Sequence, residues 1–190
     1  RELRAYDRPV GKAVDLGCGT GVFARILLET HPEARVLLFD LAERMLKVAG
    51  AALAAHADRI AFQQGNFGEV DFGDGYDVVL SGLAIHHLDD PDKRKIFRRI
   101  KESLDPGGIF LLRDFIRYAT VEETEREENE WRAFMSANGM DDAHFYALAK
   151  REDRPSTVEE QMQWMEEAGF SDVKRLYRKN LGAVMSARRP

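Results

Sequence analysis

The chain has 190 residues, 44% apolar and 32% charged, which is enough for one domain with a real core and too short for two comfortable ones. Its 28 basic and 33 acidic residues leave a net charge of −5, and the run from Glu122 to Glu130, six Glu with Arg126, carries that whole excess; the balanced remainder offers polyanions no general cationic field, which disfavours nucleic acid as the main partner. No apolar run is long enough to span a bilayer, no signal-like segment opens the chain, and the lone Cys18 excludes an internal disulfide, so a cytoplasmic location and no membrane partner are expected.

From Lys12 onward, short β-branched and aliphatic runs alternate with amphipathic stretches, the pattern of a mostly parallel sheet with crossover helices. Strands are expected near 12–17, 35–40, 59–64, 76–81 and 109–114. Between them, Val22, Phe23, Ile26 and Leu27 share one helical face, and Ile96, Phe97, Ile100 and Leu104 share another. Asp90-Pro91 reads as an N-cap and first-turn proline for the second of these helices, and Asp105-Pro106-Gly107-Gly108 turns the chain into the fifth strand.

Residues 116–155 carry no clear strand. Thr120-x-x-Glu123 is a capping box opening an acidic helix that runs towards Asn138-Gly139, so this stretch reads as a helical insertion. A second box, Thr157-x-x-Glu160, starts a helix with Val158, Met162 and Met165 facing inward and Gly169 at its end. Val173–Tyr177 and Leu181–Ala187, joined around Asn180 and Gly182, suit an antiparallel hairpin at one side of the sheet. The whole is read as a single domain, 1–190, with a lid at about 116–155. Because the sequence opens at Arg1 and not at a Met, a preceding segment, and any lid built from it, are left open.

The strongest local signal is Val14-Asp15-Leu16-Gly17-Cys18-Gly19-Thr20-Gly21, an apolar strand ending in alternating glycines before a helix. Glycines there tolerate φ > 0 and let a ligand approach the backbone. Asp40 stands at the end of the second strand, where a carboxylate can accept from ribose hydroxyls. Together they specify a nucleoside-bearing cofactor at the carboxyl edge of the sheet. Asp40 also begins Asp40-Leu41-Ala42-Glu43, a helix-capping pattern, and the two roles can coexist. The glycine spacing is G-x-G-x-G, not the G-x-G-x-x-G of dinucleotide sites. The Asp15 carboxylate would repel a pyrophosphate and suit an ammonium group; the alternative is a buried carboxylate held by backbone N–H groups.

Asp15-Leu16-Gly17-Cys18-Gly19-Thr20-Gly21 resembles the glycine motif of the class I S-adenosylmethionine-dependent methyltransferases. Asp40, Gly65-Asn66-Phe67, Tyr76-Asp77-Val78-Val79-Leu80-Ser81 and Leu104-Asp105-Pro106-Gly107-Gly108 follow in that family's order, over nearly the whole chain. The resemblance implies an α/β fold, a Rossmann-like and mostly parallel sheet with a C-terminal antiparallel hairpin and helices on both faces. It implies S-adenosyl-L-methionine as cofactor and S-adenosyl-L-homocysteine as product. Gly17, Gly19 and Gly21 would wrap the methionine moiety, Asp40 would bind the ribose, and Leu41 and Met45 would flank the adenine. Asn66 stands where the family usually places an acid for the adenine amino group, so only its amide oxygen can accept. Gly65 and Phe67 border it, and Ser81 and Leu83 would close the fourth strand beneath the sulfonium. Ile85-His86-His87-Leu88 resembles a sequence frequent in small-molecule members.

Methyl transfer asks chiefly for alignment and exclusion of water, with a base only where the acceptor carries a proton. His86, His87 and Asp114 are the candidates near the strand ends, imidazole being neutral near pH 7. Neighbouring His side chains on one segment are expected to diverge. Phe115, Trp131, Phe134, Met135, Phe145 and Tyr146 of the insertion are candidates for an apolar pocket or for its own core. The tail, with Thr157-Val158-Glu159-Glu160, Ala168-Gly169-Phe170 and Asn180-Leu181-Gly182, resembles the carboxy-S-adenosylmethionine synthases of transfer-RNA modification. Tyr146 falls where those enzymes place a carboxylate-binding arginine, and its phenol could hydrogen-bond a carboxylate. Lys93, Arg94, Lys95, Arg98, Arg99 and Lys101 read as a solvated helix face, with an RNA patch as the alternative. The five His show no metal-ligand spacing, so no metal is expected. The leading expectation is a methyltransferase acting on a small molecule; an RNA-modifying enzyme or carboxy-S-adenosylmethionine synthase, and a silent nucleoside-binding module, are the alternatives. Exposed lid surface leaves a homodimer open.

Overall fold

The five apolar runs form strands β1 (Lys12–Leu16), β2 (Arg35–Asp40), β3 (Ile60–Gln64), β4 (Tyr76–Gly82) and β5 (Leu104–Phe115) in the computed structural model, which describes residues 3, 6, 8–139 and 152–190. They pair in parallel in the order β3-β2-β1-β4-β5. The expected hairpin, β6 (Ser171–Lys179) and β7 (Gly182–Arg188), joins at the β5 edge, with β7 antiparallel to both neighbours. The strand order reverses between β1 and β4, and in open α/β sheets ligand crevices form at the carboxyl ends of such a pair.

Strand alternation divides the core into two layers. Ala13, Val36, Leu38, Val78 and Leu80 face helices α1 (Val22–Thr30) and α2 (Glu43–Ala52). Val14, Leu16, Phe39, Val79, Phe110 and Leu112 face α3 (Asp90–Ser103) and α5 (Val158–Glu167). Between β5 and α5 lies α4 (Val121–Ala137), which has no buried residue.

Several local expectations are corrected. The buried stripe of α1 is Ala24, Leu27 and Leu28, while Val22 and Ile26 are 48% and 39% exposed. The short Ala24 lets the helix sit close to the sheet, and Phe23 fills the space over Gly82, where a Cβ would overlap its ring. Asp89, not Asp90, caps α3 by accepting from Asp92 N at 2.9 Å. Leu104 is buried as expected, but as the first residue of β5 and not on the helix. Thr120 caps α4, accepting from Glu123 N at 3.1 Å; among the described residues it is the Thr157–Glu160 pair that closes both halves of a capping box. The basic residues of α3 are not simply solvated: Lys93 is buried, Arg99 donates to the carbonyls of Phe67 (2.6 Å) and Val70 (2.9 Å), and Arg94 pairs with Glu167 over the Trp164 ring.

Candidate active site

β1 ends in a turn built from left-handed glycines, Gly17 (φ 69°), Gly19 (φ 52°) and Gly21 (φ 80°). Gly17 N and Cys18 N both donate to Phe39 O, at 2.8 and 3.0 Å, which moors the turn to β2. A Cβ on Gly17 would overlap that of Ala84, whereas nothing lies within 4 Å of one built on Gly19. Gly19 therefore faces open space, and Gly17 is there for close packing.

Asp40 closes the other side of this turn. Its Oδ2 accepts from Gly19 N at 2.8 Å and its Oδ1 from Ala42 N at 2.9 Å, so it buttresses the glycine turn and shapes the entry to α2. It is only part-buried, and each oxygen keeps a free lone pair. Leu41 and Met45 follow it, 67% and 38% exposed, an apolar pair with little cover. Gly65 and Asn66 follow β3: Asn66 Oδ1 accepts from Gly68 N (2.9 Å), its amide donates to Glu69 (3.2 Å), and Gly65 N donates to Asp40 O (3.0 Å). A Cβ on Gly17 would lie 3.6 Å from Phe67 Cε1, so that ring borders the turn.

Asp15 is buried under the turn. Its Oδ2 accepts from Ala24 N at 3.1 Å, while Oδ1 has no partner. Burial pushes its pKa from 3.8 to about 7, the Ala24 N–H opposing and the charge of Asp40 adding to the rise. The backbone-held reading of Asp15 thus holds for one oxygen, and the other has no partner. Ser81 is buried as well, but its hydroxyl donates to Leu16 O (2.9 Å) and ties β4 to β1 in the crevice floor. Leu83, at φ 58°, donates its N–H to Arg113 O (2.9 Å).

After β4 a single turn, Ile85–His87, carries the two histidines. They do not diverge. Both face Asp153: His87 Nδ1 lies 3.1 Å and His86 Nε2 3.5 Å from Asp153 Oδ1, with the rings 4.1 Å apart. His86 is buried and its Nδ1 is hydrogen-bonded to Asp114, which is itself fully buried with Oδ2 unpartnered. His87 is about half exposed; desolvation and the neighbouring His86 lower its pKa, against the opposing pull of Asp153, Asp114 and Glu152. His86, His87 and Asp153 offer three ligand atoms all within 4.8 Å of one another, a grouping that spacing along the chain does not reveal.

Asp153 was missed by sequence reasoning, and so was the anchor beneath it. Arg154 N donates to His86 O at 2.7 Å, and Lys93 Nζ donates to Arg154 O, to Ser156 Oγ (2.7 Å) and to Asp90 (3.2 Å). The Lys93 of a seemingly solvated face thus pins the root of the insertion under the histidines. The available signal was Asp90-x-x-Lys93, an i, i+3 pair in the first helical turn. Tyr146 and Phe145 lie outside the described residues. Of the other aromatic candidates, Trp131 packs edge-on to Phe115 (6.3 Å), and Phe134 is 57% exposed.

A protein-family model described as a methyltransferase domain matches residues 13–108, which span the glycine turn, Asp40 and both histidines. Trans-aconitate 2-methyltransferase of Deinococcus radiodurans is 33% identical over 150 residues, covering 73% of this chain and 55% of that protein. Demethylspheroidene O-methyltransferase of Rhodobacter capsulatus is 27% identical over 190 residues, covering 98% and 44%. Carboxy-S-adenosyl-L-methionine synthase of Trichodesmium erythraeum is 25% identical over 195 residues, covering 91% and 70%. Among solved structures, a putative O-methyltransferase from Nostoc punctiforme shares the fold at a TM-score of 0.74 with 23% identity, over 98% of this chain and 54% of that one. Apart from the synthase, the chain spans about half the length of these proteins.

Proposed function

This chain belongs to the methyltransferase-domain family, and from that premise we propose that it transfers a methyl group from S-adenosylmethionine to a small-molecule acceptor. When bound, that cofactor supplies an electrophilic methyl group on a sulfonium. The observation that carries the reading is the set of groups gathered at the carboxyl ends of β1 and β2, which has the polar and apolar parts such a molecule needs. Open space faces Gly19, the unpartnered Asp15 Oδ1 suits an ammonium group, Asp40 has lone pairs for ribose hydroxyls, and exposed Leu41 and Met45 offer an apolar slot for a purine. Asn66 and Gly65 would border the base, with Gly17, Gly21, Phe67, Ser81 and Leu83 forming the walls.

His87 acts as the general base where the acceptor carries a proton. Its lowered pKa keeps the imidazole neutral near pH 7, and Asp153 holds Nδ1–H, which leaves Nε2 to receive the proton. His86, clamped by Asp114, sets the position of the turn. Three of the six basic residues of α3 that would suggest RNA, Lys93, Arg94 and Arg99, are engaged by other parts of the protein, which supports a small acceptor over a nucleic acid. A covering role for residues 116–155 and a cytoplasmic location belong to the same proposal; no helix among the described residues is long and apolar enough to cross a membrane.

Calorimetry with S-adenosylmethionine and S-adenosylhomocysteine, together with mass spectrometry of co-purifying small molecules, tests it. Binding of both nucleosides at one site is expected; an empty titration with well-folded protein would refute the reading.

A further inference from the structure

Next to the histidine turn is a second recess, of about 250 Å³, between the carboxyl end of β5 and the β6–β7 turn. Phe115 is the wall it shares with the histidines: its ring lies 5.2 Å from His86, 6.3 Å from Trp131 and 5.8 Å from the guanidinium carbon of Arg113. The backbone of Arg113 is held on both sides, paired to Gly82 of β4 and Val184 of β7, so the position of this cation is set by the sheet.

The Arg113 side chain is half-buried and makes no hydrogen bond or ion pair among the described residues; Phe115 is the one ring it touches. Burial lowers its pKa, opposed by Asp114, whose side chain lies on the opposite face of β5 beside His86. Lys179 lines the same recess and likewise lacks an ion-pair partner among the described residues. Among the described residues no acidic side chain lines it; Glu123, Glu127 and Glu159 belong to the adjoining groove beyond Lys179, where Arg178 takes Glu159 at 3.3 Å. A guanidinium withdrawn from water without a carboxylate is costly, and its planar fork matches a carboxylate with two parallel hydrogen bonds. Phe115 and Trp131 stand beside it as flat apolar surfaces.

We propose that this recess binds the carboxylate of an aromatic acid, with Arg113 as the fork and Lys179 as the second cation. Naming that acid as the methyl acceptor rests on the methyltransferase reading above; the anion site itself does not. The acid lies with its carboxylate at Arg113 and its body along Phe115, towards the histidine turn.

The test uses benzoate as probe, its neutral isostere benzamide as control, and S-adenosylhomocysteine binding as a separate readout on the same protein. Benzoate is expected to bind and benzamide not; Arg113→Gln should weaken benzoate about tenfold or more, Lys179→Gln by about threefold, and Arg113→Lys should keep part of the affinity. All three variants should bind S-adenosylhomocysteine as the parent does, which also shows that they are folded. Equal binding of benzamide, undiminished benzoate binding by Arg113→Gln, or no benzoate binding by the parent at ~10 mM overturns the site. Should Arg113→Gln fail to fold, Lys179→Gln and the benzamide comparison decide. Benzoate binding without S-adenosylhomocysteine binding leaves the anion site standing and removes the methyltransferase reading; the converse removes only the anion site.

Discussion

His87 Nδ1 and Asp153 Oδ1 lie 3.1 Å apart, although one belongs to the turn after β4 and the other to the root of the insertion. The contact makes the proposed base depend on a part of the chain remote in sequence. His87→Gln should lower kcat by about 10²–10⁴ for an acceptor that loses a proton, with little change in S-adenosylhomocysteine affinity. Because the charge of Asp153 raises the His87 pKa, Asp153→Asn should move the acidic limb of the kcat/KM profile to lower pH as well as reduce the rate. An unmoved limb would separate Asp153 from the base.

Under the proposed cofactor role, Asp15 would link binding to protons. Its folded pKa of about 7 lies above the ordinary 3.8, so the folded state binds the extra proton and the free protein loses stability as pH rises from about 4 to about 7, then levels off. Thermal melts across that window should show the decline, and Asp15→Asn should flatten it. A ligand ammonium at Oδ1 favours the ionised carboxylate, so S-adenosylhomocysteine binding near pH 6.5 should release a proton, visible as a buffer-dependent calorimetric enthalpy.

Two glycines of one turn should behave differently. Gly17→Ala places a Cβ against Ala84 at a left-handed φ and should destabilise the fold by about 1–3 kcal/mol in urea titration. Gly19→Ala meets no atom within 4 Å, so its fold cost should be about 1 kcal/mol, while its methyl intrudes on the crevice and should weaken nucleoside binding.

Asp40→Ala should weaken S-adenosylhomocysteine binding by about 1–3 kcal/mol through lost ribose contacts and a loosened glycine turn. Asp40→Asn, which keeps one accepting oxygen, should fall between the two in calorimetry.

Lys93→Met removes the buried ammonium that holds Arg154 O, Ser156 and Asp90. Denaturant titration should show a loss of about 1–3 kcal/mol, since Asp90 itself can turn to water. The variant should also share the displaced pH limb of Asp153→Asn, because Lys93 anchors the segment that presents Asp153.

Strand periodicity placed all five parallel strands and the hairpin, because buried β-branched runs and turn residues are local signals. The same pattern misjudged α1. Its apolar residues lie on more than one face, and packing selects the small Ala24 over Val22 and Ile26. Helical charge on α3 was equally ambiguous, since a lysine near a helix start reads the same whether water or Ser156 lies beyond it.

The glycine turn and the carboxylates of Asp15 and Asp40 could be recognised from the chain alone, because tight-turn dihedrals and neighbouring strand ends bring them together over a short stretch. The alignment of His86 and His87 on Asp153, the burial of Lys93 and the stranded guanidinium of Arg113 were decided only in three dimensions. Each joins elements distant in the chain, and whether a polar side chain meets water, a partner or a cavity depends on which faces the sheet and helices bury.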